Sequence, residues 1–91
     1  YSLPPDTEVA EVGPIDPQIG VVRLDKRNGD CLAVLYQFAC HPIMGSLSGG
    51  PGANTADMTG VASQVIEDNM DAGTIALFLQ GCGGDINPIS Y

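Results

Sequence analysis

A single histidine, His41, stands directly after an apolar run and directly before a proline in this 91-residue chain. Imidazole donates, accepts and ligates near neutral pH. Such a residue can therefore be a metal ligand or a general base, or it can simply bond a nearby backbone carbonyl in a structural role. A catalytic zinc ion needs about three protein ligands, so one histidine does not hold it. Asp57 and Asp85 are candidates to add to the shell, and the rest would come from outside these residues. Without a metal, the same three side chains make an acid–base cluster. Asp85 lies in the tract Gly83-Gly84-Asp85-Ile86-Asn87-Pro88. Beside glycine an aspartate commonly bonds its own backbone, and its functional alternative is to orient a ligand or a reacting water. Gly83 and Gly84 can serve the turn alone, or present successive free amides as a nest for a substrate oxyanion.

Several other chemistries are excluded by spacing. No Gly-Lys-Ser/Thr follows the glycines, so the tract is not a phosphate loop, and no serine lies between them as in a nucleophile elbow. Ser46 and Ser48 have no evident base beside them and read as structural. Cys40 adjoins His41, but neighbours along a strand point to opposite faces, which argues against a cysteine–histidine dyad. The three cysteines, Cys31, Cys40 and Cys82, form no CxxC pair. They read as free thiols, two of them in apolar runs, and a zinc–thiolate site is the lesser alternative. Free thiols lean toward a reducing compartment.

Eleven acids against three bases give a net charge of -8. That balance repels phosphate backbones, so nucleic acid is a poor partner. Hydrophobic residues make up 44% and charged residues 15%, the composition of a packed domain rather than an acidic tail. No apolar run approaches the roughly 20 residues that span a bilayer. Tyr1 to Gly13 has no basic segment followed by an apolar core, the pattern of a secretory signal.

The elements that must position these groups follow from local pattern. Residues 1–18 hold Pro4, Pro5, Pro14 and Pro17, which predicts an irregular lead-in. Ile19 to Leu24 is a β-branched run and predicts a strand. Asn28-Gly29 marks a turn in which both residues tolerate positive φ, and Cys31 to Ala39 returns as an antiparallel strand. His41 to Asn54 is a loop. Met58, Val61, Ala62, Val65 and Ile66 fall on one face of a helix that Thr55 or Asp57 can cap and Gly73 can end. Glu67, Asp68 and Asp71, near its C-terminus, read as a solvated face. Thr74 to Leu79 is a third strand, and Gln80 to Pro88 a glycine-rich turn.

The order strand, strand, helix, strand implies a right-handed crossover and a parallel pairing of the second and third strands. The expected fold is therefore α/β, a small mixed β-sheet with one helix. In a parallel pair, His41 and the Gly81–Asn87 tract leave from the same sheet edge, where open α/β sheets place their sites. Ala33 to Tyr36 and Ile75 to Leu79 are apolar at nearly every position, as in strands covered on both faces. One helix covers one face. The expectation is that residues 19–91 are part of a larger layered α/β domain, with the second layer supplied by further chain segments or by self-association.

Four segments, in order, carry a resemblance to the neutral/alkaline non-lysosomal ceramidase family and its bacterial relatives. They are Gly20-Val-Val-Arg-Leu-Asp25, Phe38-Ala-Cys-His-Pro42, Thr55-Ala-Asp57 with Gly60, and Leu77-Phe-Leu-Gln-Gly81 running into Gly84-Asp-Ile-Asn-Pro88. The resemblance implies a partial catalytic domain of a zinc-dependent hydrolase that cleaves a lipid or small-molecule amide. It implies that His41 is one zinc ligand, the others lying outside this chain. The family's Gly-Asp-x-Ser-Pro segment carries a serine where this chain has Asn87. Asparagine is no nucleophile, but its amide can hold a substrate carbonyl or a water. That departure favours metal-bound hydroxide acting directly on an amide or ester, with Asp85 fixing the turn. The alternatives are a non-catalytic interaction module and an inactive segment.

Overall fold

The computed structural model describes Glu8, residues 13–45 and residues 52–88. Most of the proline-rich lead-in, and Ser46 and Ser48, lie outside the described residues. Strands β1 (Gly20–Asp25), β2 (Cys31–Phe38) and β3 (Ile75–Gln80) and helix α1 (Asp57–Asn69) follow in the order β1-β2-α1-β3. The strands lie β1-β2-β3 in one sheet, antiparallel between β1 and β2 and parallel between β2 and β3. The architecture is thus the small mixed α/β sheet expected from the pattern.

The hairpin turn differs in kind from a two-residue Asn-Gly turn. Gly29 N–H donates to Lys26 C=O at 3.0 Å and Lys26 N–H to Asp30 C=O at 2.8 Å, and of the turn residues only Gly29 has positive φ, at 95°. The extra residue is absorbed by a register shift between Leu24 and Asp25, as when a left-handed glycine follows an ordinary turn. Asn28 is held by its side chain instead: its Oδ1 accepts Asp30 N–H.

Helix α1 ends at Asn69, four residues before Gly73. Gly73 does have φ 83°, but it serves the turn into β3, where Thr74 N–H donates to Asp71 C=O. At the other end the N-cap is Ala56, with no side-chain cap. Thr55 Oγ1 accepts Asp57 N–H, and Asp57 Oδ1 accepts Met58 N–H at 2.7 Å. Asp57 stands at φ 55°, a conformation that costs a non-glycine residue roughly 1–2 kcal/mol and is least unfavourable for Asp and Asn.

Alternation along the strands sorts the side chains. Val34, Tyr36 and Phe38 of β2 and Ala76 and Phe78 of β3 face the helix. Tyr36 is buried, stacks tilted on Phe78 at 5.3 Å, and donates its hydroxyl to Thr59 C=O at 2.7 Å while meeting Ser63 Oγ at 2.8 Å. Not all of the periodic helix face packs inward. Val61 and Val65 are 65% and 55% exposed, because α1 lies chiefly over β3 rather than over the middle of the sheet. An open apolar groove of about 800 Å³ remains between α1 and strands β1 and β2, lined by Val21, Val34, Phe38, Met58, Ala62 and others. Arg23 reaches into it and bonds Asp25 at 2.6 Å, which raises the guanidinium above its ordinary pKa and keeps it charged.

The acids at the helix end are largely at the surface, as expected, but two of them also hold backbone amides. Glu67 Oε1 accepts Ala76 N–H at 2.9 Å on the outer edge of β3, and Asp71 Oδ2 accepts Cys31 N–H at 2.7 Å. Asp68 and Asp71 are both exposed and Glu67 is half-buried, and Asp68 bonds only its helix neighbour Gln64. Thr74 Oγ1, itself buried, joins the same knot by donating toward Cys31 C=O and Asp71 C=O. Cys31 is fully buried with Asp71 in place, so the carboxylate is the partner its amide has in the fold. Asp71→Ala is expected to cost about 1.5–3 kcal/mol, the range for a hydrogen bond to a charged group, and Asp71→Asn markedly less because an acceptor oxygen remains. Urea denaturation of the three proteins measures both.

On the opposite face no described element covers the sheet. Val22, Leu24, Ile75, Leu77 and Leu79 are between 44% and 56% exposed, and no charged residue shares the β2 and β3 part of that face. Burial concentrates on the central strand, at Cys31, Ala33, Val34 and Tyr36.

Candidate functional site

The two loops that the topology assigns to one sheet edge do meet there. Gly81 N–H donates to Phe38 C=O at 3.0 Å, which extends the β2–β3 pairing by one step past β3. A Cβ on Gly81 would stand 3.0 Å from the backbone N and Cα of Ala39, so a larger residue there would push the two exits apart by a few tenths of an ångström. Beyond that point His41 N–H donates to Ile86 C=O at 3.0 Å. His41 and the Gly83–Asn87 turn are neighbours despite some forty intervening residues.

The ring of His41 is half-buried, and its Nε2 lies 2.9 Å from Gly84 C=O. A carbonyl oxygen only accepts, so Nε2 carries the proton and donates. In the neutral ring that leaves the Nδ1 lone pair free to accept a proton or a metal. Gly83 lies against this side of the ring: a Cβ added there would sit 3.7 Å from Cε1 and 3.8 Å from Nδ1. The absent side chain at position 83 keeps the approach to the ring open.

The glycine pair does not form a two-amide nest. Gly83 is buried and its N–H is taken by Gly81 C=O at 2.7 Å, while Gly83 C=O accepts Ile86 N–H. Gly84, at φ 38°, keeps its amide without a partner among the described residues and gives its carbonyl to His41. The tract positions an acceptor for the histidine rather than a pair of donors for an anion.

Asp85 is exposed, and its carboxylate makes no hydrogen bond among the described residues, so the Asx turn considered for it is not formed. Asn87 is half-buried and directly follows Ile86, whose carbonyl holds the His41 amide. Asp57 starts α1 and lies against the loop that leaves His41, since a Cβ on Gly45 would come within 3.3 Å of its Oδ2. Among the described residues no three His, Cys, Asp or Glu side chains converge as a metal-binding group. Cys31 and Cys40 are buried free thiols, and Cys82, beside Gly83, is an exposed one.

One residue of this edge was not singled out by its sequence. Gln80 reads there only as the start of the glycine-rich turn, yet its side-chain amide bonds Cys40 C=O and Gly81 C=O, each at 3.2 Å. The available signal was a polar residue closing a strand that is otherwise apolar. No family model, no curated protein and no solved structure matches this chain.

Proposed function

We propose that this chain is a segment of a zinc-dependent hydrolase of the neutral ceramidase type, which cleaves an amide or ester bond with a metal-activated water. The observation that supports this reading is the bond from His41 Nε2 to Gly84 C=O. Metal-ligating histidines give their second ring N–H to a carbonyl or carboxylate, which fixes the ring and the tautomer. The donor chemistry of His41 therefore fits zinc through Nδ1. It is one ligand of about three, and the remainder come from further chain segments or another copy. Zinc, when bound, supplies Lewis acidity and lowers the pKa of a bound water toward neutrality.

The chain's own residues have distinct tasks in this scheme. Gly84 C=O and the Ile86 carbonyl hold His41 by ring and by backbone. Gly83 leaves room at the ring. Asn87 orients the substrate carbonyl through its amide, and the exposed Asp85 carboxylate is available to an approaching water. The substrate class is a small-molecule or lipid amide.

A second reading is favoured by the uncharged sheet face that no described element covers: a non-catalytic module that binds a partner through it. One pair of measurements separates the two. Elemental analysis on the full chain is expected to give near-stoichiometric zinc, together with amidase or esterase activity that a chelator removes. Absence of zinc, in a protein whose mass in solution exceeds that of one chain, would replace the hydrolase reading with the binding module.

A further inference from the structure

We infer that Gln80 is the positioning residue that holds His41 against the glycine turn. This inference rests on the reading of that edge as the functional site. Three observations converge on it. Gln80 Nε2 lies 3.2 Å from Cys40 C=O, on the loop leaving β2, and 3.2 Å from Gly81 C=O, on the loop leaving β3. Both partners are carbonyls, so the Gln80 NH2 group donates to each and uses both of its protons. It spans the two exits directly beneath His41, because Cys40 is the residue before the histidine. The same Nε2 would be 3.1 Å from a Cβ on Gly83, so the amide also sits under the residue that faces the ring.

The remaining ties between the loops are few. Gly81 N–H to Phe38 C=O lies on the strand side of Gln80's contacts, and His41 N–H to Ile86 C=O lies beyond them. The Gln80 amide fills the interval. Without it the turn from Gly81 to Ile86 hangs on its own short-range bonds and on His41 itself. The ring bond to Gly84 would then have to hold the loop, rather than the loop holding the ring. Gln80 acts through the backbone on both sides of the histidine rather than on its ring, so its loss is expected to weaken metal binding by no more than the about 10–100-fold typical of a partner bonded to the ligand itself.

The donor count makes the inference testable apart from packing. Gln80→Met keeps the length and loses both donors. Gln80→Glu keeps the shape, but its carboxylate faces two carbonyl oxygens and has no proton until it is titrated, near the ordinary glutamate pKa of about 4.3. In the full chain, hydrogen exchange over peptides covering residues 39–43 and 81–86 is expected to speed up at least about tenfold in both variants at pH 7, while peptides from β2 hold their protection. Relative to the parent at equal pH, Gln80→Glu is expected to regain protection as pH falls through the carboxyl range, and Gln80→Met is not. Zinc affinity, measured in parallel, is expected to fall in both variants at pH 7. Unchanged exchange at His41 in both variants, or equal behaviour of the two at low pH, would overturn the positioning role. Zinc absent from the parent, with the exchange pattern as expected, would overturn the metal reading while leaving Gln80 as the support of His41.

Discussion

On the proposed hydrolase reading, His41→Ala is expected to lower zinc affinity by more than about 100-fold and to abolish hydrolysis with it. The backbone bond from residue 41 to Ile86 does not depend on the side chain, so the loop keeps its course. The informative partner is His41→Gln. A glutamine amide can still donate to Gly84 C=O, replacing the Nε2 bond of 2.9 Å, yet it offers no imidazole nitrogen where Nδ1 stands. If the histidine were only a structural tie, Gln would restore the behaviour of the parent. If it is a ligand, Gln preserves thermal stability and still loses the metal. Zinc content by elemental analysis and melting temperature, taken on the same samples, read the two roles separately. Full zinc retained in His41→Ala would remove His41 from the metal shell.

The largest stability effect is expected at Tyr36. Its ring is the buried centre of the helix–sheet contact, and its hydroxyl ties β2 to Thr59 and Ser63 on α1. Tyr36→Ala removes the ring against Phe78 and leaves the groove and the core continuous, at about 3–5 kcal/mol for an aromatic truncation. A domain of this size has a margin of about 5–15 kcal/mol, so one side chain would remove a large share of it. Tyr36→Phe isolates the hydroxyl. It keeps the stacking and leaves Ser63 without its partner, for about 1–2 kcal/mol. Denaturant midpoints give both differences, and a Tyr36→Ala loss below about 1 kcal/mol would mean that α1 is held by something other than this contact.

What the sequence made legible here was whatever depended on local pattern plus topology. The hairpin, the helix and the parallel third strand follow from apolar runs punctuated by Asn28-Gly29 and Gly73, and their order alone brings His41 to the Gly83–Asn87 turn. The reading stays incomplete where a residue's partner is remote. Asp71 looks merely solvated until Cys31, forty positions earlier, is seen to take its carboxylate, and Glu67 until Ala76 does. The helical period identifies an apolar face but not how far α1 sits to one side, which leaves Val61 and Val65 more than half exposed. The amides of Gly83 and Gly84 were counted as a pair because sequence does not reveal the turn dihedrals that commit the first to Gly81. Gln80 was passed over for the same reason as Asp71: its role lies in what it touches across the sheet.

Glu67 makes the two borders of the sheet unequal among the described residues. On β3 an incoming strand would have to displace a carboxylate already seated on the Ala76 amide. On β1, Gly20–Asp25 pairs with β2 on one side only, and its outer row of amides and carbonyls faces outward. A strand adding beside β3 would first have to displace Glu67, whereas among the described residues nothing is seated on the outer edge of β1, the border farthest from the Gly83–Asn87 turn.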